Sequence, residues 1–227
     1  MGQLNVKDKD IAIPGEVLAT GMDYLPSGGT FRERDDVIST QVGLVSVSGR
    51  IIKVIPLSGK YMPKKGDTIL GEVVNIGFNG WTIDLGGPYL ALLSLKDASS
   101  DYIDRRADLA QYYSFGDKVA AMIVNVSKSK MIDLSMKGLG LKKLKGGKII
   151  EVTPSKVPRI IGRAGSMISM VKEMTGCKII VGQNGKIWVS GNQPEEEAKA
   201  TEAIMMIEDN SHTDGLTDKI KEFLEKK

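Results

Sequence analysis

Apolar and polar positions change rhythm twice along this chain, and each rhythm predicts a different architecture. Over Val42-Gly43-Leu44-Val45-Ser46-Val47-Ser48-Gly49-Arg50-Ile51-Ile52-Lys53-Val54-Ile55 they nearly alternate, the period of half-buried strands, with Gly49 as a turn or bulge. Pro14-Gly15, Pro26-Ser27-Gly28-Gly29 and Ser58-Gly59 mark further turns. Residues 1–62 therefore read as a β domain, small enough to need packing on the next domain or on a partner. The following stretch, 63–136, predicts five short strands at 67–76, 80–84, 89–94, 118–127 and 131–135, with a polar helical insert near 101–113. Five strands with an insert after the third suggest a small barrel of the OB type.

The second change comes after residue 148, where helical spacing enters. A strand at 148–153 precedes a short helix that Pro158 can open. Gly162 and Gly165 then interrupt an apolar run, which resumes with Ile168, Val171 and Met174 on one helical face and stops at Thr175-Gly176. Strands at 177–181 and 186–190 flank a turn at 182–185. A last helix follows, with Pro194 in its first turn and Glu195, Glu196 and Glu197 at its positive end. The fold class is mainly β plus α+β: a β domain, a five-stranded barrel, and a domain of three strands with helices over 148–208. Residues 209–227 form a tail whose Leu216, Ile220, Phe223 and Leu224 stand at helical spacing, as in an amphipathic helix docked on the body or a neighbour.

Composition narrows the class. Apolar residues are 41% and charged residues 26%, so the chain is not of the disordered kind. No apolar run approaches the ~20 residues of a membrane-crossing helix, and the first ten residues are too polar for a signal peptide, so the expectation is a cytoplasmic protein without membrane contact. The single Cys177 rules out an internal disulfide and a multi-cysteine zinc site. His212, the one histidine, has neither a second metal ligand nor a serine–carboxylate constellation, so no cofactor, metal or catalytic residue is expected. Net charge is only +3, but four lysines and no acidic residue fall within 137–145. That stretch reads as a basic flexible linker over 137–147, either a solvated hinge or an RNA contact.

The candidate chemistry lies at the glycine turn. Corners without side chains let another backbone approach, and the next helix presents free amides and its positive dipole end there. Lys156, Arg159 and Arg163 add full charges beside Ala164, and Ile160, Ile161, Ile168 and the strand Lys178-Ile179-Ile180-Val181 offer an apolar floor for bases. The run Ile160-Ile161-Gly162-x-x-Gly165-x-x-Ile168-x-x-Val171-x-x-x-Thr175-Gly176-x-x-Ile179 resembles the KH domain, and its element order resembles the type I arrangement. The resemblance implies that the turn clamps about four nucleotides of single-stranded backbone.

The barrel resembles the S1-type RNA-binding domain, through the openings Gly66-Asp67 and Gly116-Asp117 and through Gly77-Phe78-Asn79-Gly80-Trp81. The resemblance makes Phe78 and Trp81 stacking platforms, worth ~1–3 kcal/mol per base. The other reading of Trp81 is that it fills the barrel. The family often has a histidine where this chain has Ser94, and an aspartate–arginine pair where it has Ser127 and Met131. Lys128 and Lys130 are nearby substitutes, which implies weaker or less base-selective binding. Arg105 and Arg106 of the insert either touch phosphate or are solvated.

A β domain, an S1-type barrel and a type I KH domain, in that order, resemble the RNA-binding cap subunit of the exosome, of the ribosomal-RNA-processing protein 4 type. Pro14-Gly15-Glu16, Tyr24-Leu25-Pro26 and Pro56-Leu57-x-Gly59-x-Tyr61-x-Pro63 resemble that family's phrases, and the intact Gly162-x-x-Gly165 favours its archaeal form. The resemblance implies a non-catalytic partner of single-stranded RNA. Three copies would sit on a hexameric ring of phosphorolytic subunits, held by the N-terminal domain. The alternatives are a free-standing regulator of translation or transcription, including the NusA type, and an enzyme of the polynucleotide phosphorylase type. That enzyme carries the two modules in reverse order, together with a nuclease domain that has no counterpart in this sequence.

Overall fold

The computed structural model describes residues 2–104, 107–211, 213 and 215–225. One compact unit ends at Gly59 and a second begins at Lys60. The first unit is all β. Strands β1 (Gln3–Leu4), β2 (Ile11–Ala12), β3 (Val17–Thr20), β4 (Leu25–Pro26), β5 (Thr30–Glu33), β6 (Asp36–Ser39), β7 (Gly43–Ser48) and β8 (Ile51–Pro56) form two four-stranded sheets, ordered β1-β3-β6-β5 and β2-β7-β8-β4. The expected hairpin is β7–β8, turned at Gly49 with φ of 60°. Leu18, Val37, Val45, Ile52 and Val54 fill its core, while Ile11, Ile13, Met22, Leu25, Ile51 and Ile55 stay exposed.

The second unit begins with the barrel. Strands β9 (Thr68–Gly77), β10 (Gly80–Asp84), β11 (Leu90–Ser94), β12 (Lys118–Val126) and β13 (Ile132–Ser135) close on themselves through β12–β13 pairing. The five strands agree with the sequence reading to within a residue or two. The helical insert expected near 101–113 does not: its described residues hold a single 3-10 turn at Leu109–Gln111, and the one-turn helix α1 (Leu95–Ala98) lies before it. Ile103 and Leu109 drop into the barrel core from this irregular segment, so tertiary burial decides its path rather than helical periodicity.

The stretch 137–147, expected to be a flexible linker, is tied down. Strand β14 (Lys142–Leu144) pairs with β12 and adds a sixth strand. Lys143 forms an ion pair with Asp117, Leu144 is buried, and the Lys142 ammonium lies 5.4 Å from the centre of the Trp188 ring. The KH-like domain follows. Strands β15 (Lys148–Glu151), β16 (Lys178–Val181) and β17 (Lys186–Ser190) form an antiparallel sheet ordered β15-β17-β16. Helices α2 (Val157–Ile161), α3 (Ser166–Thr175) and α4 (Pro194–Asp209) pack on one face around Val157, Ile160, Val171, Ile187 and Ile204. Helix α5 (Leu216–Glu225) docks on that core through Leu216, Ile220 and Leu224, the body-docked option of the sequence reading.

The other face of the sheet meets the barrel. Trp188 packs with Leu70, Ala120 and Leu144, and its indole N–H donates to the Gly146 carbonyl at 2.8 Å. Asn184, 8% exposed, completes the join. Its side chain accepts from Leu70 N at 3.2 Å and donates to the Leu70 and Leu85 carbonyls at 2.7 and 2.8 Å. A buried amide with three backbone partners fixes orientation as well as contact.

Candidate nucleic-acid interface

The KH-like turn is built by two glycines with different duties. Gly162 ends α2 at φ 77° and ψ 176°, a conformation nearly restricted to glycine. A Cβ there would also sit 2.6 Å from the Met167 Cβ. Gly165 is left-handed at φ 80°, and a Cβ on it would meet nothing within 4 Å. Gly162 is therefore fixed by the fold, whereas Gly165 leaves open space where a backbone can approach. Between them Arg163 and Ala164 are exposed, and Ala164 is itself left-handed at φ 52°. No described side chain caps α3; the Ser166 amide donates to the Arg163 carbonyl, and the first-turn amides after it are the ones left for an incoming acceptor.

The surrounding residues are brought together unevenly. Lys156 is half-buried at the end of a 3-10 turn that leads into α2. Arg159 is exposed, but its guanidinium donates to the Thr213 carbonyl at 3.1 Å, so it also ties α2 to the segment before α5. The apolar floor is smaller than expected. Ile160 is wholly buried, Ile168 is 6% exposed and Ile179 is buried, all spent on the core, which leaves Ile161, Ile180 and Val181 half-exposed.

On the barrel, Phe78 occupies the β9–β10 turn and is 97% exposed. Trp81 is 1% exposed, and the expected second platform is not there. Its indole N–H donates to the Tyr113 carbonyl at 2.9 Å, and its ring meets the Tyr113 ring edge-on, with centroids 5.1 Å apart. Tyr113 in turn donates its hydroxyl to the Ala98 carbonyl at 3.0 Å, and burial raises its phenol pKa. The pair pins the insert to the barrel. Lys128 and Lys130 are exposed in the β12–β13 turn, with Lys130 at φ 64°. Arg105, Arg106 and His212 lie outside the described residues.

The sequence reading did not pick out a cavity of about 640 Å³ on the barrel wall, lined by Asn79, Leu92, Ser94, Lys96, Asn125 and Asp133 among others. Its polar groups are preset: the Asn125 amide donates to Asp133 at 3.0 Å, and the Ser94 hydroxyl to Asp97 at 2.6 Å. Strand alternation was the available signal, since Asn125 and Asp133 stand opposite each other across β12 and β13. Donors, acceptors and half-exposed apolar surface suit recognition of a base edge. Among the described residues no group of three or more His, Cys, Asp or Glu side chains could hold a metal ion. No described helix is long and apolar enough to cross a membrane.

Comparison with known proteins agrees with this geometry. Residues 62–137 match the S1 RNA binding domain family and residues 147–195 a KH domain family. The exosome complex component Rrp4 of Thermococcus kodakarensis is 46% identical, over 99% of this chain and 88% of its own length. The protein of the same name from Methanothermus fervidus is 46% identical over 97% of both chains. A crystal structure of a provisionally assigned exosome complex RNA-binding protein superposes with a TM-score of 0.65 at 36% identity, covering 74% of this chain and 96% of that one.

Proposed function

Because the chain belongs to the exosome complex component Rrp4 family, we propose that it captures single-stranded RNA on the cap of an exosome and passes the 3′ end to a phosphorolytic nuclease ring. The chain itself is not an enzyme; it binds, and a partner cuts. The observation that carries the reading is the open, cationic glycine turn before the uncapped α3, joined rigidly to a barrel that displays Phe78. Three caps sit on one six-membered ring, and the assembly works in the cytoplasm for 3′-to-5′ degradation, processing or tailing. The first unit is the ring-binding part, supported by its exposed Ile11, Ile13, Met22, Leu25, Ile51 and Ile55.

Mixing the purified chain with ring subunits and labelled RNA tests this. Native mass measurement should give three copies per ring. The chain alone, with RNA and phosphate, should retain RNA at full length. Shortening of RNA by the isolated chain, or failure to join any ring, would contradict the reading.

A further inference from the structure

The barrel lacks the second aromatic platform that its sequence promises, because Trp81 is spent on the core. A different aromatic stands next to the vacancy. Tyr102, in the insert, is 86% exposed and lines a cleft of about 750 Å³ with Asn79, Ser94, Lys96 and Lys137. Three of those residues, Asn79, Ser94 and Lys96, also line the 640 Å³ cavity, so the two hollows adjoin along one wall of the barrel. Phe78 directly precedes Asn79.

The position of Tyr102 is held by its neighbours. Ile103 is buried in the barrel core, and Asp101 N donates to the Ser99 hydroxyl at 3.1 Å. The ring between these anchors is left facing water, at the usual cost of exposed aromatic area. The cleft's charges suit a polyanion: Lys96 and Lys137 outnumber Asp101. Asp97 lies 3.9 Å from the Lys96 ammonium, but it already accepts from Ser94, and an exposed pair of this kind is weak.

We infer that Tyr102 is a nucleobase-stacking platform that substitutes for Trp81, with Lys96 and Lys137 taking the flanking phosphates of single-stranded RNA. This rests on the RNA-capture reading above. It extends the path of the strand from Phe78 along the insert, a segment that the S1-type aromatic pattern does not include.

The test uses the full chain and a fluorescently labelled single-stranded oligouridylate, followed by anisotropy. Tyr102→Ala should weaken binding by about tenfold, as loss of one stacked base does. Tyr102→Phe should remain within about twofold of the parent, because the ring persists. The salt dependence should be unchanged in Tyr102→Ala, whereas replacing Lys96 and Lys137 by Gln should lower the logarithmic salt slope by about 1.4, at ~0.7 per phosphate contact. Photo-crosslinking of 5-bromouridine RNA to the parent should label Tyr102. If Tyr102→Ala binds like the parent and no crosslink reaches Tyr102, while Arg163→Asp/Ala164→Asp still weakens binding, the platform is wrong and RNA capture stands. If the parent does not bind the oligonucleotide, both fall.

Discussion

Gly162 and Gly165 are the same residue in the sequence and opposite cases in the fold. Alanine at 162 must adopt a glycine-only backbone and push on Met167, so Gly162→Ala should cost about 2 kcal/mol or more of stability. Alanine at 165 enters open space and bears only the left-handed strain, about 1 kcal/mol. Urea titrations of the two variants check that order. A third residue sets an alkaline limit. Tyr61 donates its hydroxyl to Asp67 at 2.6 Å, and burial, then that bond and the carboxylate charge, push its phenol pKa up. Above about pH 10 the unfolded chain loses this proton while the folded chain keeps it, so stability falls as pH rises. Tyr61→Phe should show a shallower loss of denaturation midpoint between about pH 10 and 11. Single residues were only partly legible in the sequence. The KH signature gave the turn, but the aromatic spacing misplaced Trp81. Alternation held the better answer: Trp81, Ile83 and Leu85 share the inner face of β10 and its continuation, and Thr82 and Asp84 the outer.

At the scale of elements, strand β14 and the Asn184 turn make barrel and KH-like domain into one body. Asn184→Ala would strand three backbone groups of the barrel, at about 2 kcal/mol or more. The variant's heat denaturation should separate into two steps where the parent has one, as seen by calorimetry. Neither feature could be read from periodicity. Lys142–Leu144 is a strand because β12 offers it an edge, Asp117 pairs with Lys143, and Trp188 receives Lys142. All three partners are distant in sequence, so the segment alone looks like a solvated tether. Strand β17 carried a faint signal. Ile187, Trp188 and Val189 are consecutive apolar residues, the mark of a strand covered on both faces. Such a run leaves open what covers the second face.

Across the whole molecule, the proposed function rests on adding weak contacts. A clamp on one domain and a stacking wall on another would let one strand engage both, and the three copies per ring proposed above would multiply the effect. Avidity of this kind reaches ~10²–10⁴ over a single site when the geometry permits. The most direct measurement is an anisotropy titration of labelled single-stranded RNA with the purified full chain and with Arg163→Asp/Ala164→Asp. Aspartate tolerates the left-handed backbone at 164, so the variant should fold, while two carboxylates now face the anion site. The account predicts saturable binding by the parent, RNA of unchanged length, and at least about tenfold weaker binding by the variant. Equal binding by a folded variant would contradict it.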